Sequence, residues 1–371
     1  MDKIDDGADV VLLIDTLGAG GAEMNFVHMA NSFSRKGLKC KLVLCRSIGP
    51  LEKYVDSKVD VILLGCGKEI IFSIPKLIRL LRKERPKVIF SAFLQVNIAA
   101  IISTKVSRVG CKVFVSEHSV FSIANSKENI VSRRQFLFPF FAKVFYRFSS
   151  GIVAVSKAVQ IDLASVTGIP LNRISVINNP VRLAAQEFSG LPQSAKIGRP
   201  FFQLVSCGRL TPVKDFYTLI KAVQNLRQKC DIRLNIIGDG SEKAKLEMFV
   251  DECGLKEAVS FLGYIEDPFP YFKDADLFVL SSKYEGFGNV IVEAMSCGLP
   301  VVCTDCPGGP REILEDGRYG ALVPVGNPSK MADAIEYALY NPVDSSKLVL
   351  RANDFDIDLI CDQYLSLFDF A

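Results

Sequence analysis

Apolar residues along this chain fall in short runs, and most runs are followed by a segment with helical periodicity. The first half contains the runs VVLLID, KCKLVLC, VDVILL, KVIFSAF, KVFVSEHS and GIVAVS. Short apolar runs bounded by turn residues predict buried strands. Helices are predicted between them, at residues 22–35 and 73–86 among others. This alternation predicts a parallel sheet covered by helices on both faces.

The same alternation begins again after a polar segment at residues 189–200. The runs FQLVSCG, IRLNIIGDG, VSFLGYI, DLFVLSS and LPVVCTD predict strands, and a final helix is predicted at residues 352–368. We therefore expect an α/β protein with two Rossmann-like domains, residues 1–185 and residues 195–350. Two such sheets in series predict a ligand-binding cleft between them, because parallel sheets bind ligands outside the carboxyl ends of their strands.

Composition narrows the class of protein. The chain has 371 residues, of which 49% are hydrophobic and 23% are charged, and this indicates a globular protein too long for one ordinary core. A net charge of only +3 gives no support for a nucleic-acid partner. The acidic start, MDKIDDGADV, leads directly into a predicted strand and does not resemble a signal peptide. No apolar run approaches the roughly 18 residues of a membrane span.

Cysteine and histidine usage does not favour a metal site. The eleven cysteines are scattered through predicted strands and helices, a distribution typical of reduced thiols in a cytosolic protein. Cys303 and Cys306 form the single CxxC motif, and the chain has only two histidines, His28 and His118. Two free thiols are therefore a better interpretation than a zinc site.

One basic and aromatic segment points to a membrane surface. Residues 133–148, RRQFLFPFFAKVFYRF, combine bases with many aromatic side chains but are interrupted by Pro139, Lys143 and Arg147. This mixture is typical of segments that bind an anionic membrane surface. A buried helix with a basic edge is the alternative interpretation.

The segment EGFGNVIVE carries the most specific chemistry. Glu285 and Glu293 lie at its two ends, after the predicted strand DLFVLSS and within the predicted helix VIVEAMSCG. A helix start offers unpaired N–H groups and a partial positive charge, which suit a phosphate. Carboxylates accept hydrogen bonds from sugar hydroxyls. The segment therefore predicts a site for a nucleotide-sugar, with Gly286 and Gly288 allowing close backbone approach.

Two cations follow the first strand of the second half. In SCGRLTPVKDF, Arg209 comes just after the strand and Lys214 five residues later. An arginine fork and a mobile lysine can together neutralise a diphosphate. Solvated loop cations are the alternative.

Several other candidates follow predicted strands. Tyr264 and Ile265, in LGYIEDP, are positioned to pack on a base and read its edge through the backbone, or Tyr264 is an ordinary core residue. His118, in VSEHS, can donate a hydrogen bond to a sugar hydroxyl. The turn CPGGPREI is expected to line the cleft and to influence sugar choice.

The glycine turn at residues 18–21 does not satisfy the dinucleotide fingerprint. Gly18 and Gly20 fit the pattern, but Glu23 stands where its third glycine belongs, and Cys45 and Arg46 follow the second strand where an acidic residue is expected. A small-residue loop that approaches a ligand and a simple tight turn both remain possible interpretations.

These motifs, taken in order, resemble the retaining GT-B glycosyltransferases of family 4. EGFGNVIVE matches the E-x7-E signature, and GAGGAE, EHS, GRLTPVKD, LGY and TDCPGGPREI resemble the family's motifs over nearly the whole chain. The resemblance implies the GT-B fold, in which two Rossmann-like domains with parallel sheets face a central cleft. It also implies that the C-terminal helix, at about residues 352–371, crosses back to the N-terminal, acceptor-side domain.

The resemblance also implies a role for each matching residue. Glu293 would hold the ribose, Glu285 the donor sugar and His118 the sugar near its C6, while Arg209 and Lys214 would neutralise the diphosphate without a metal or other cofactor. The catalytic set is Glu285, Arg209, Lys214 and His118, and the nucleotide-sugar-binding set is Gly20, Gly21, Tyr264, Ile265, Phe287, Gly288, Asn289, Val290 and Glu293.

The expected activity is that of a metal-independent, retaining hexosyltransferase. It would move GalNAc, GlcNAc or galactose from a UDP-sugar to a glycan acceptor linked to polyprenyl diphosphate, in surface polysaccharide or glycan biosynthesis. We expect a cytoplasmic protein attached to the inner face of the plasma membrane. The alternatives are a nucleotide-sugar epimerase or phosphorylase of the same fold, and a non-catalytic subunit that binds UDP-sugar.

Overall fold

The computed structural model describes residues 7–67, 69–124, 137–184 and 199–370, and the chain divides into two compact units. The first unit is Met1–Val181 together with Ile357–Ala371, and the second is Arg182–Asp356. The predicted boundary segment at residues 189–200 lies outside the described residues, apart from residues 199 and 200.

The first unit contains a seven-stranded parallel sheet in the order β3-β2-β1-β4-β5-β6-β7. Its strands are β1 (Val10–Thr16), β2 (Cys40–Ser47), β3 (Asp60–Leu63), β4 (Val88–Ala92), β5 (Lys112–Glu117), β6 (Gly151–Ala154) and β7 (Ile174–Val176). The strand order reverses at β1, which pairs with β2 on one side and β4 on the other. The loops after β1 and β4 therefore begin side by side at the carboxyl edge, where open α/β sheets bind ligands.

Helices connect these strands, as parallel pairing requires. They are α1 (Gly21–Arg35), α2 (Ile74–Glu84), α3 (Leu94–Ser107), α4 (Phe121–Ala124), α5 (Phe138–Phe145) and α6 (Lys157–Thr167). In α1, the buried residues Phe26, Ala30 and Phe33 recur at helical spacing and form one apolar face. Phe26 stacks on Phe90 of β4, with ring centroids 5.4 Å apart, and this contact fixes α1 against the sheet.

The second unit contains a six-stranded parallel sheet in the order β10-β9-β8-β11-β12-β13. Its strands are β8 (Phe202–Cys207), β9 (Ile232–Ile237), β10 (Val259–Gly263), β11 (Leu277–Leu280), β12 (Val301–Thr304) and β13 (Ala321–Val323). Its helices are α7 (Phe216–Leu226), α8 (Lys243–Glu252), α9 (Phe269–Asp274), α10 (Asn289–Ser296), α11 (Pro310–Ile313), α12 (Pro328–Tyr340) and α13 (Ser345–Asn353). The strand order reverses at β8, so the loops after β8 and β11 are neighbours.

The C-terminal segment differs from the sequence prediction of one helix at residues 352–368. Helix α13 ends at Asn353, and a separate helix, α14 (Ile357–Leu367), belongs to the first unit. Phe355, between them, packs on Phe287 of the second unit, whereas Tyr364 packs on Phe90 of the first, with ring centroids 5.3 and 5.2 Å apart. The helix is interrupted because its two halves bury their apolar side chains in different cores.

The two sheets confirm the predicted α/β class and the parallel strand arrangement of both domains. Among the described helices, none combines the length and the apolar composition needed to cross a bilayer. All eleven cysteines lie in the described residues, and all are free thiols there.

Candidate functional site

Lys214 and the first glutamate of EGFGNVIVE meet where the second sheet reverses its order, and Arg209 lies at the end of one of the two strands involved. Arg209 follows β8, Lys214 ends the short 3-10 turn Pro212–Lys214, and Glu285 follows β11, which pairs with β8. Lys214 and Glu285 are 71 residues apart in sequence, yet Lys214 Nζ lies 2.5 Å from Glu285 Oε1. The sheet topology therefore joins two motifs that the sequence keeps apart.

A buried serine shares the same carboxylate oxygen. Ser282 is fully buried, and its Oγ donates to Glu285 Oε1 at 2.6 Å. Ser281 Oγ donates to the carbonyl oxygen of Lys214 at 2.8 Å, and this bond holds the lysine backbone beside the end of β11. Because Oε1 has two donors and no described residue donates to Oε2, one oxygen of Glu285 remains available to accept a hydrogen bond from a ligand. Neither Ser281 nor Ser282 is among the site residues predicted from the sequence, although both directly precede the glutamate-bearing loop.

Arg209 is exposed, and its side chain forms no ion pair or hydrogen bond with any described residue. Its neighbour Leu210 is fully buried and anchors the loop. The loop after β9 lies against this one: a Cβ atom on Gly238 would be 2.0 Å from the carbonyl oxygen of Gly208, and one on Gly240 would be 2.3 Å from that of Leu210. The GDG sequence thus supports the arginine loop, and Arg209 is a cation at the carboxyl edge of the sheet that no described residue pairs with.

The turn CPGGPREI supports the glutamate loop from the next strand. The amide of Glu285 donates to the carbonyl oxygen of Pro307 at 3.0 Å. Gly308 has φ +130°, and a Cβ atom there would lie 1.8 Å from the carbonyl oxygen of Glu285. Only glycine combines that backbone conformation with such a close approach. The turn thus positions the backbone that carries Glu285.

Helix α10 begins directly after this loop. Gly288 caps it with φ +108°, and Asn289 and Val290 are its first residues. The N–H groups at a helix start point away from the helix and can bind an anion. Phe287 is 2% exposed and packs on Phe355, so its ring belongs to the core and a ligand could meet only its backbone. This helix start is the predicted phosphate position.

Glu293 lies one turn further along α10 and remains partly exposed. Burial raises the pKa of its carboxyl to about 7, an increase that nearby Arg182 opposes and Asp267 adds to. No described residue forms an ion pair or hydrogen bond with this carboxyl. A partly open carboxylate without a partner suits a ligand that brings hydrogen-bond donors, such as the two hydroxyls of a ribose.

Tyr264 and Ile265 lie further along the sheet. Both follow β10, an edge strand separated from β8 by β9. Tyr264 is 58% exposed, so it is not the core residue of the alternative interpretation. Its exposed ring offers a flat surface for a base.

The remaining predicted residues belong to the first unit. His118 follows β5, and burial lowers its pKa to about 4, so the ring is neutral at pH 7. Ser116 Oγ donates to the carbonyl oxygen of Ser91, so His118 Nε2, at 3.0 Å, is the donor to that hydroxyl oxygen. His118 Nδ1 is buried and has no hydrogen-bond partner among the described residues. This arrangement favours a histidine that accepts a hydrogen bond from a hydroxyl through Nδ1, instead of the donor predicted from the sequence.

Gly20 and Gly21 begin helix α1. Gly20 occupies the cap position, and a Cβ atom on it would lie 2.2 Å from Glu23 Oε2. The Glu23 carboxylate therefore covers the glycine turn, where the sequence predicts room for a ligand. A ligand at this turn would have to displace that flexible side chain.

Two family models match the chain. Residues 19–185 match the family described as Glycosyltransferase Family 4, and residues 202–341 match the family described as Glycosyl transferases group 1. The two matches correspond to the two units of the structure.

Relatives and solved structures agree with these matches. The chain is 30% identical over 242 residues to an N-acetylgalactosaminyltransferase of Campylobacter jejuni named for a diphospho-undecaprenol-linked substrate, covering 64% of this chain and 63% of that protein. It is 34% identical over 169 residues to LpsE of Rhizobium meliloti, a lipopolysaccharide core biosynthesis glycosyltransferase, covering 44% of this chain and 48% of that protein. These matches thus span about half to two thirds of the two relatives.

The fold has close counterparts among solved structures. The structure of HepE from Anabaena in complex with UDP aligns with a TM-score of 0.79 and 21% identity, over 98% of this chain and 100% of that chain. At this identity the likeness concerns the fold. The likeness shows the GT-B fold, and the two family models show that this chain belongs to glycosyltransferase family 4.

Proposed function

We propose that this protein transfers a hexose or N-acetylhexosamine from a UDP-sugar to a hydroxyl group of a glycan acceptor, with retention of the anomeric configuration. The observation that carries the proposal is the contact between Lys214 and Glu285 where β8 and β11 meet, with Arg209 just after β8 and the start of α10 just after the glutamate loop. Cations and a helix start favour binding of a diphosphate. A carboxylate with one oxygen that no described residue donates to favours binding of sugar hydroxyls.

In the proposed reaction the bond between the anomeric carbon and the β-phosphate oxygen breaks, and UDP leaves with the electron pair. The acceptor oxygen bonds to the anomeric carbon from the same face, and its proton passes to the departing phosphate. Arg209 and Lys214 stabilise the charge that develops on the diphosphate. Lys214 can donate to Glu285 and to phosphate together, because an ammonium group has three donors. Catalysis then depends mainly on positioning and charge stabilisation.

We propose that these two cations replace a divalent metal. The expected outcome is full activity in the presence of EDTA and no stimulation by added Mg²⁺ or Mn²⁺. Activity that EDTA abolishes and Mn²⁺ restores would reject this part of the proposal.

The names of the relatives guide the choice of substrates. The C. jejuni relative is named as an N-acetylgalactosaminyltransferase that acts on a glycan linked to diphospho-undecaprenol. We therefore propose GalNAc, GlcNAc or galactose as the donor sugar and a polyprenyl-diphosphate-linked glycan as the acceptor.

The test is a UDP-release screen with UDP-GalNAc, UDP-GlcNAc and UDP-galactose, against lipid-linked glycans and free sugars. Arg209→Ala and Lys214→Ala should each lower kcat about 10²–10³-fold, because each removes a charge that acts in the transition state. Lys229→Ala is the matched control: this exposed lysine pairs with Glu336 and precedes β9, at the opposite edge of the sheet. Wild-type rates in both site variants would defeat the diphosphate assignment, and no UDP release from any donor would defeat the proposed activity.

We also propose that the segment at residues 133–148 attaches the protein to the inner face of the membrane. Residues 133–136 lie outside the described residues, but the rest of the segment exposes apolar rings: Phe140 is 61% exposed and Phe148 is 50% exposed. Lys143 and Arg147 add positive charge beside them. Exposed aromatic and basic side chains together favour an anionic lipid surface.

Liposome sedimentation tests the attachment. Wild-type protein should sediment with phosphatidylglycerol vesicles, and the double variant Phe140→Ser, Phe148→Ser should not. Tyr337→Ser removes a ring that is 67% exposed in the second unit and serves as the matched control. Equal binding by all three proteins, or by none, would reject the proposal.

A further inference from the structure

A cavity of about 290 Å³ opens in the first unit, and all the described residues that line it belong to that unit. It lies at the carboxyl edge of the first sheet, where the strand order reverses between β1 and β4. Residues that lie at or near the ends of β1, β4 and β5 line it, among them Asp15, Glu23, Phe93 and Glu117, together with Phe121 and Phe138. Its position is therefore one at which open parallel sheets bind ligands.

Glu117 is the best ordered polar group of this cavity. The residue is 3% exposed, and its Oε1 accepts hydrogen bonds from the hydroxyl of Tyr146 and, at 3.5 Å, from Asn97 Nδ2. Asn97 Nδ2 also approaches the Tyr146 hydroxyl oxygen at 2.9 Å, and Ser91 Oγ donates to Asn97 Oδ1 at 2.7 Å. Every member of this network is buried, so the carboxyl group is held in one orientation.

Among the described residues, hydrogen-bond donors reach only one oxygen of that carboxyl. No described residue donates to Glu117 Oε2. An ordered carboxyl with a free oxygen in a cavity is thus suited to accept a hydrogen bond from a ligand.

The rest of the lining identifies the class of ligand. Phe93, Phe121 and Phe138 give the cavity apolar walls, and the charge of Asp15 is balanced by Arg46, whose Nε lies 2.6 Å from Asp15 Oδ1. A sugar ring combines apolar C–H faces with hydroxyl donors at its edge, and therefore matches aromatic walls with a few carboxylate acceptors. A simple metal cation would gain nothing from the apolar walls.

We propose that this cavity binds one sugar ring of the glycan acceptor, and that Glu117 selects that sugar by accepting a hydrogen bond from one of its hydroxyls through Oε2. Tyr146 and Asn97 are positioning residues that hold the carboxyl. This inference rests on the proposed transferase function, because that function supplies the glycan acceptor.

Direct binding tests the inference without requiring turnover. Methyl glycosides of GalNAc, GlcNAc, galactose and glucose are the probes, observed by saturation-transfer NMR on the full chain with UDP in excess to fill the nucleotide site. We expect at least one glycoside to bind the wild-type protein. Glu117→Gln places an amide donor where Oε2 accepts, so it should weaken that binding about tenfold or more.

Two further variants separate binding from stability. Glu84→Gln is the matched control, because Glu84 is also a buried carboxylate of the first unit but pairs with Lys41, at 3.0 Å. Its effect should be on thermal stability alone. Tyr146→Phe removes a hydrogen bond that orients Glu117 and should weaken glycoside binding about fivefold. This variant still tests the role of Glu117 if Glu117→Gln does not fold.

The outcomes separate this inference from the proposed function. If the wild-type protein binds UDP and transfers sugar, but no glycoside binds or the Glu117 and Tyr146 variants bind glycosides as the wild type does, the cavity assignment is wrong and the transferase proposal stands. If a glycoside binds through Glu117 while no UDP-sugar is used, the cavity assignment stands and the proposed function fails. In kinetic assays, Glu117→Gln should raise the acceptor KM about tenfold and leave the donor KM unchanged.

Discussion

The two units share one architecture but carry different chemistry at the same edge. Each has a parallel sheet whose order reverses at its first strand, β1 in one and β8 in the other. At that edge the second unit holds two cations and a carboxylate, Arg209, Lys214 and Glu285, whereas the first holds Glu117, a neutral His118 and aromatic walls. The fold thus supplies equivalent positions, and the loops decide whether a position suits a phosphate or a sugar ring.

The strongest test of this comparison is to replace the carboxylate at each edge, Glu285 or Glu117, by its amide. Glu285→Gln removes the partner of Lys214 and the free acceptor oxygen, so we expect kcat to fall about 10²–10³-fold. The acceptor KM should change little. Steady-state kinetics with varied donor and acceptor measure both values. If Glu285→Gln instead mainly raised the acceptor KM, the assignment of different substrates to the two edges would be wrong.

Alanine at Gly308 should give the next largest effect. The new Cβ would lie 1.8 Å from the carbonyl oxygen of Glu285, at φ +130°, so we expect a loss of about 2–4 kcal/mol in the free energy of unfolding, with a fall in kcat. Gly317→Ala is the control, because Gly317 has φ +98° but no atom within 4 Å of its Cβ position. Urea unfolding should show a loss of only about 1 kcal/mol there. Equal losses in both variants would contradict the close approach to Glu285.

The pH dependence of stability compares one carboxyl from each unit. Burial raises the pKa of Glu117 and of Glu293 to about 7 from an ordinary value of 4.5. Between these values the folded protein holds more protons than the unfolded chain, so the free energy of unfolding should fall as pH rises from about 5 to 8. Each glutamine variant should remove about 1–3 kcal/mol of that fall.

Urea unfolding at pH 5 and pH 8 measures this difference for the wild type, the two single variants and the double variant. The two carboxyls lie in separate units, so their effects should add. A wild-type protein equally stable at both pH values would contradict the raised pKa values.

Ser282→Ala should give the smallest effect. It removes one of two hydrogen bonds to Glu285 Oε1, so we expect kcat to fall about five- to tenfold while UDP binding is retained. Ser149→Ala is the matched control in the first unit, because Ser149 is also buried and donates to the carbonyl oxygen of Tyr146 at 2.7 Å. An equal loss of kcat in both variants would indicate a general packing effect rather than a role for Ser282 in positioning Glu285.

Much of the fold could be predicted because its signals are local. Apolar runs followed by periodic segments specify strands and helices one at a time, and their alternation specifies parallel sheets. The same local signals predicted that Arg209, Lys214 and Glu285 follow strands. It failed at the C-terminus, where one apolar pattern spans α13 and α14 although the two helices pack in different units.

The sequence by itself determined the alternation of strands and helices, the family and the residue types available at each strand end. Only the tertiary structure decided which strand ends meet, because strand order depends on packing between distant segments rather than on local periodicity. That order brings Lys214 to Glu285 across 71 residues, and it joins Asn97 and Tyr146 across 49 residues in the network around Glu117. The close approach of Gly308 to Glu285 and the unpartnered Nδ1 of His118 have the same non-local origin.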